Sequence, residues 1–309
     1  RLSFYLAEYY FRKNDLRNAL AYYEQTSVQN LSNRQIADMK FHQGYAYFSM
    51  QKYDQAAPLL ESIAKNPSDP NYKDANYYYG VITYAKKNYK GALPSFQKIE
   101  NDPNYKSVVP FYIANIYYAQ GQKEKAVDYG EAALKKNKGQ NDVQMGELMG
   151  HALFEKREYA KALPYLENFV NKSKKVSRET LYELAYCYYQ TNDLRNAVEN
   201  LKQLSGGEDS LSQNAMYILG DAYLKLGDKA NARNAFSFGA TNNVNLSQRE
   251  VSKFNYAKLS YELGYQDIAL TEFKKFLDEY PSSAYQKEAA EIAAGLLANT
   301  NNYREALNT

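Results

Sequence analysis

The chain has 309 residues, 45% of them apolar, which is enough to bury a core and argues against disorder. Thirty-eight Lys and Arg against 35 Asp and Glu leave a formal charge of +3, too little for a dedicated phosphate-binding surface, so no nucleic-acid partner is expected. One cysteine, Cys187, and two histidines, His42 and His151, exclude an internal disulfide and a zinc-built fold, and neither metal nor cofactor is expected. No apolar run reaches the roughly 18 residues that span a bilayer, and the opening RLSFYLAEYYF lacks the layout of a signal peptide, so no direct membrane insertion is expected.

In chain order, polar turns recur as RKND, QKYD, KKNY, GQKE, KREY, TNDL, LGDK and LGYQ, from residue 12 to residue 266. An alanine follows each: Ala19, Ala56, Ala92, Ala126, Ala162, Ala197, Ala232 and Ala269, with Ala306 closing the series at gaps of 37, 36, 34, 36, 35, 35, 37 and 37. A period of this size marks a repeat array. Twelve residues before each anchor stands a second small residue: Ala7, Gly44, Gly80, Ala114, Gly150, Ala185, Gly220, Ala257 and Ala294. Four residues after the anchor a bulky one is usual (Tyr23, Leu60, Phe96, Leu166, Leu201, Phe236, Phe273), with Gly130 the exception. Apolar residues three and four apart on both sides of each turn predict two amphipathic helices per repeat, crossing closely at the small residues. Period-two alternation is absent, so no strand is predicted.

The repeats run approximately 1–33, 34–70, 71–105, 106–140, 141–176, 177–211, 212–246 and 247–284, with a truncated ninth at 285–309. Breaks at 66–70, 101–104, 135–142, 205–210, 241–245 and 280–283 end the second helices. Pro67, Pro70, Pro103 and Pro281 act as stops, whereas Pro58, Pro94 and Pro164 fall inside second helices and are expected to bend them.

These features resemble the tetratricopeptide repeat family: a period near 34, a small-x-x-aromatic first helix, DLRNA or NYREA leading into the second, and the boundary proline of EYPSSAY. The resemblance covers essentially the whole chain. It departs where a large apolar residue is usual sixteen before the anchor, since Lys40, Asn76, Gly146 and Lys253 stand there, which puts inner packing in those repeats in question. It implies an all-α fold, a right-handed α-solenoid of stacked antiparallel helix hairpins, with first helices lining a concave face. It also implies a protein that is not an enzyme and that binds peptides or segments of other proteins.

On the face of the first helices, fifteen residues before the anchors stand Phe4, Phe41, Tyr77, Phe111, Glu147, Tyr182, Tyr217, Phe254 and Glu291. Seven residues on come Phe11, Phe48, Tyr84, Tyr118, Phe154, Tyr189, Leu224, Tyr261 and Ala298, with Tyr45 and Tyr186 between the rows. In a chain of 33 Tyr and 13 Phe, two readings stand together: ordinary packing, and contact with a partner by rings of large area and low rotamer entropy. The candidate contact set is Phe4, Phe11, Phe41, Tyr45, Phe48, Tyr77, Tyr84, Phe111, Tyr118, Phe154, Tyr182, Tyr186, Tyr189, Tyr217 and Tyr261.

The two-carboxylate clamp by which some family members hold chaperone tails is predicted to be absent, because no Lys or Arg stands one turn before Asn115 or Asn255. Glu147, Glu155, Glu179 and Glu183 make the middle of the face acidic, suiting a partner with Lys or Arg or a merely solvated surface. KKNK at 135–138 and KSKK at 172–175 form a basic patch with the same two readings. His151 between Glu147 and Glu155 is read as solvent-facing, His42 as lacking acidic companions, and Cys187 as a buried inert thiol.

Three functions follow: a protein-interaction module, an architectural subunit that can self-associate within a larger assembly, or a regulatory domain cut from an enzyme or sensor. The chain opens without Met and stops in mid-repeat, so it is expected to be a piece of a longer protein. FKKFLDEYPSSAYQKEA at 273–289 resembles repeats of bacterial periplasmic and outer-membrane-associated family members, which implies that location, with cytoplasm the alternative.

Overall fold

The computed structural model describes residues 1–136, 138–241 and 243–308, and side chains through 301 apart from those two gaps. The described residues form α-helices and one short 3-10 turn, with no strand among them. The chain divides into two compact units, Arg1–Ala152 and Leu153–Thr309.

In the first unit the hairpins are α1 (Leu2–Arg12) with α2 (Leu16–Glu24), α3 (Asn33–Ser49) with α4 (Tyr53–Ala64), α5 (Tyr72–Ala85) with α6 (Tyr89–Gln97), and α7 (Val109–Ala119) with α8 (Lys123–Lys136). Helix α9 (Asp142–Glu155) carries the boundary between the units. The second unit continues with α10 (Tyr159–Lys172), α11 (Arg178–Gln190) with α12 (Leu194–Lys202), α13 (Ser210–Lys225) with α14 (Lys229–Gly239), α15 (Leu246–Glu262) with α16 (Gln266–Glu279), and α17 (Gln286–Asn308). Second helices pack on the next first helix, as α4 on α5 and α12 on α13, and successive first helices also touch, as α3 with α5 and α11 with α13. Each unit is thus a stack of helical hairpins, the α-solenoid class, held by local cores that join one hairpin to the next.

The two small-residue registers explain the close crossing. A Cβ added at Gly44 would lie 2.8 Å from the Leu60 side chain, at Gly80 2.9 Å from the Phe96 ring, and at Gly220 2.8 Å from the Phe236 ring. The residue twelve before the anchor is small because the residue four after it fills that space. Gly130, the exception, follows the same rule from the other side: Met149 of α9 occupies the volume, its Sδ 2.7 Å from where a Cβ would stand.

A further register lies five residues before each of the first eight anchors. Asn14, Gln51, Lys87, Gly121, Arg157, Asn192, Gly227 and Gly264 all have φ between 58° and 89°. At each, the next amide donates back to the carbonyl five residues earlier, as Asp15 to Tyr10 and Asn88 to Thr83, at 2.8–2.9 Å. This is the Schellman closure of a helix, and the residue after the left-handed one then starts the second helix. Asp15, Asn88 and Asp228 accept from the amide three residues on, capping α2, α6 and α14. Lys87 and Arg157 bear a Cβ in a region that disfavours it. Lys87→Gly is therefore expected to raise stability by about 0.5–1 kcal/mol in urea unfolding, and Gly227→Val to lower it by more.

The predicted stops and internal prolines fall where expected: 67, 70, 103 and 281 lie in connections, while Pro58, Pro94 and Pro164 lie inside α4, α6 and α10. Where the period placed a turn in the ninth repeat, at about 299–302, α17 runs unbroken through Asn and Thr, with no glycine or proline there to close it. The Ala306 side chain lies outside the described residues. Two of the unusual residues sixteen before the anchors are accommodated by polar contacts. Buried Asn76 donates to the carbonyls of Ala64 and Tyr72, tying α5 to the end of α4, and Lys253 pairs with Glu279 of α16.

Candidate functional site

The first helices carry both aromatic rows, and the Schellman closure fixes one of them. Phe11, Phe48, Tyr84, Tyr118, Phe154, Tyr189, Leu224 and Tyr261 are the residues whose carbonyls accept from the left-handed residue, so this row stands in the last turn of each first helix. From there Phe48 meets Tyr53, Tyr84 meets Tyr89 and Phe154 meets Tyr159, each with ring centroids 5.7–5.8 Å apart. Those rings roof the hairpin turn, a packing role. They nevertheless stay partly accessible, and Tyr261 is exposed.

The other row is divided. Phe4 and Phe41 are 4% and 8% exposed and stand in the core clusters with Tyr23 and Leu60, so they offer a partner almost no surface. The physical reason is that this offset lies on the border between the inter-hairpin seam and the open face. Tyr77, Phe111, Tyr182 and Tyr217 are half-buried. Tyr77 stacks on Tyr105 at 4.7 Å, and Tyr217 packs edge-on against Phe236 at 6.2 Å.

In the first unit the rings of three helices converge. Phe11 of α1 stacks on His42 of α3 at 4.1 Å and meets Tyr45 edge-on at 5.8 Å. Tyr78 of α5 meets Tyr45 at 5.3 Å and Phe48 at 4.8 Å. They surround an open recess of about 470 Å³, lined by Phe11, Arg12, Asn14, Phe41, His42, Tyr45, Asp74 and Tyr78. Burial first, then neighbouring Tyr45 and Asp74, push the Tyr78 phenol up to about 12, so it stays neutral. Asp74 accepts a hydrogen bond from the Tyr105 hydroxyl.

Behind the recess lies a polar cluster that sequence reading missed. Glu8 Oε2 of α1 accepts from His42 Nδ1 at 2.6 Å and from the Tyr23 hydroxyl of α2, also at 2.6 Å. The expectation that His42 has no acidic companion is thus corrected. Glu8 is 34 residues away in sequence, one repeat back, where helical spacing gives no signal. Burial alone would raise the Glu8 pKa, but the hydrogen bonds from His42 and Tyr23 and the charges of His42 and Arg12 hold it below its ordinary value.

In the second unit Tyr159, Tyr182, Tyr186 and Tyr189 form a second aromatic group. Tyr186 lies 5.2 Å from Tyr159 and 5.7 Å from Phe154. Lys225 stands 4.7 Å over the Tyr189 ring and bridges to Asp221, to which the Tyr189 hydroxyl also donates. This group fills its own charge requirements. Cys187 is buried, and burial, then Glu183, push its thiol up to about 12, as an inert core thiol requires. Glu183 is itself buried and leaves the acidic face expected for it. The Asn115 amide donates to Phe111 of its own helix. Lys135, Lys136, Lys138, Lys174 and Lys175 are exposed, and Asn137 lies outside the described residues. Among the described residues no group of three or more His, Cys, Asp or Glu side chains could hold a metal, and no helix is long and apolar enough to cross a membrane.

The tetratricopeptide repeat family profile matches residues 41–106, and the profile of anaphase-promoting complex (cyclosome) subunit 3 matches residues 155–238. No curated protein matches the sequence. Among solved structures, a chain in the structure of Naa15/Naa10 bound to HypK-THB is similar at 15% identity and a TM-score of 0.52, covering 84% of this chain and 39% of that one. This chain thus spans about two fifths of that relative's length. YrrB, described as a tetratricopeptide repeat protein with an unusual peptide-binding site, is 15% identical with a TM-score of 0.50, covering 63% and 97%. A tetratricopeptide repeat protein from Parabacteroides merdae is 15% identical with a TM-score of 0.46, covering 85% and 99%. At these identities the likeness is one of fold. The profile matches and solved folds support tetratricopeptide-type repeats, a class that typically mediates protein–protein interaction.

Proposed function

We propose that the chain is a non-catalytic interaction module that seats a peptide or extended protein segment on the aromatic face of its first helices, with the recess between α1, α3 and α5 as its anchor point. The observation that carries this reading is the recess itself, where rings from three hairpins surround an open volume large enough for a side chain and leave one charge of each sign at its rim. The description of YrrB as having a peptide-binding site, and of Naa15/Naa10 as bound to HypK, agrees with such a role for this kind of scaffold. Phe11, Tyr45 and Tyr78 are the contact residues in the first unit, with Phe41 backing the recess from the core, and Tyr182, Tyr186 and Tyr261 are separate candidates of the same kind within the second unit.

The test is selection of a phage-displayed dodecapeptide library on the immobilised chain. Selected peptides should lose about 2 kcal/mol or more of binding to Tyr45→Ala/Tyr78→Ala, measured by fluorescence anisotropy, while helicity by circular dichroism stays unchanged. Equal binding by the double variant would remove the recess from the reading.

A second reading, an architectural subunit, is favoured by Leu2, Tyr5 and Tyr9, which lie on one side of α1 and are 75%, 52% and 49% exposed. Sedimentation over a hundred-fold range of concentration separates the two, since self-association through α1 makes mass concentration-dependent and Tyr5→Lys reverses it. A bacterial envelope location is proposed on the resemblance of residues 273–289. Fractionation of cells expressing the full-length protein tests it, recovery in the cytosol counting against it.

A further inference from the structure

The recess holds an imbalance that the aromatic rows alone do not explain. Asp74 is half-buried among Tyr45, Tyr78 and Tyr105, and its hydrogen-bond partner is the neutral Tyr105 hydroxyl. Among the described residues no Lys or Arg forms an ion pair with it, and Lys73, next to it in sequence, is drawn off to Asp102. A carboxylate removed from water in this way favours a cation beside it. The adjacent surfaces of Tyr45 and Tyr78 add the electron-rich faces on which ammonium and guanidinium groups rest. The second unit displays the same chemistry already filled from within: Lys225 stands over the Tyr189 ring and pairs with Asp221, which accepts from the Tyr189 hydroxyl. A ring, a carboxylate that accepts from a tyrosine hydroxyl, and a lysine make a complete set there. In the recess the first two are present and the lysine is not.

We propose that the recess is a seat for one Lys or Arg side chain of the bound peptide, its stem lying against Tyr45 and Tyr78 and its cation against Asp74. This rests on the peptide-binding reading above and names the chemistry of the anchor. Exposed Arg12, across α3 from Asp74, keeps the incoming cation on the Asp74 side and disfavours a second one nearby. The Glu8 carboxylate does not compete for the cation, because it is engaged by His42 and Tyr23.

The library selection tests this directly. Peptides selected on the wild-type chain should share a Lys or Arg at one position, and the same selection on Asp74→Asn should lose that preference. The variant keeps an acceptor oxygen for the Tyr105 hydroxyl, so the packing is preserved. For a selected peptide, replacing the basic residue by norleucine, which retains the stem, should weaken binding about ten-fold, and Asp74→Asn should weaken the Lys peptide about as much while leaving the norleucine peptide unchanged. Arg12→Ala, with helicity checked by circular dichroism, should strengthen the Lys peptide about two- to three-fold at low salt. Selected peptides that depend on Tyr45 and Tyr78 but share no basic residue, or that bind Asp74→Asn equally well, would overturn the cation seat and leave peptide binding standing. No selected peptide at all would overturn both.

Discussion

Phe236→Ala is expected to lower the stability of the second unit by about 3–5 kcal/mol, read as a fall in the urea midpoint with an unchanged slope. The ring is 1% exposed and lies against Gly220 of α13 with nothing to replace it. Gly220 has no side chain to fill the space, and Tyr217, which packs edge-on against the ring, can refill it only by shifting, so the cavity closes only in part. The complementary change, Gly220→Val, is expected to cost about 1–3 kcal/mol by overpacking, since its Cβ alone would stand 2.8 Å from the ring. Combining the two gives the sharper result. Once Phe236 is gone, the methyls introduced by Gly220→Val partly refill the space of the ring, so Gly220→Val/Phe236→Ala should be more stable than the sum of the single losses predicts. Strict additivity would mean that the two registers do not pack against each other.

Glu8→Ala is expected to cost about 1–3 kcal/mol, because it leaves the nearly buried Tyr23 hydroxyl without its acceptor and frees His42 from α1. This loss carries a pH signature. The Glu8 pKa in the folded protein is depressed below its model-compound value of 4.5, so its contribution is fully present above that value and is lost as pH falls through the folded-state pKa. Wild type and Glu8→Ala should therefore differ most above pH 4.5, as judged by chemical unfolding, and converge as pH falls through the depressed folded-state pKa of Glu8. A gap that widens on the acid side would show that the carboxylate is not held in its ionised form by this cluster.

How much of this was legible in the sequence depended on distance along the chain. The alanine anchors, the small residues twelve before them and the bulky residues four after them all lie within one hairpin, and their spacing directly encodes the Gly80–Phe96 and Gly220–Phe236 contacts. The hairpin turns were legible as polar clusters, but the left-handed residue within them was not, because Gln51, Lys87 and Arg157 do not carry the glycine or asparagine that signals it. The site was legible only in part. Helical periodicity put Tyr45, Phe48 and Tyr78's neighbour Tyr77 on the first-helix face, yet it could not separate Phe41, nearly buried in the wall of the recess, from Tyr45, which opens to it. Tyr78 itself was missed, since it belongs to neither offset row. The Glu8–His42–Tyr23 cluster and the role of Asp74 depend on contacts between successive repeats, which a single-helix pattern does not contain.

The eight left-handed closures fix the number of residues between each first helix and its partner, whereas the repeats vary between 34 and 37 residues in spacing. That variation must be absorbed beyond the closures, in the lengths of the helices and in the connections leading to the next hairpin. Extra residues inserted near 68 or 104 should lengthen a surface link and leave both neighbouring pairs intact. One residue added beside Lys87 would rotate everything downstream in its hairpin by about 100°, turning the ring of Phe96 away from Gly80 and undoing the pair at its root.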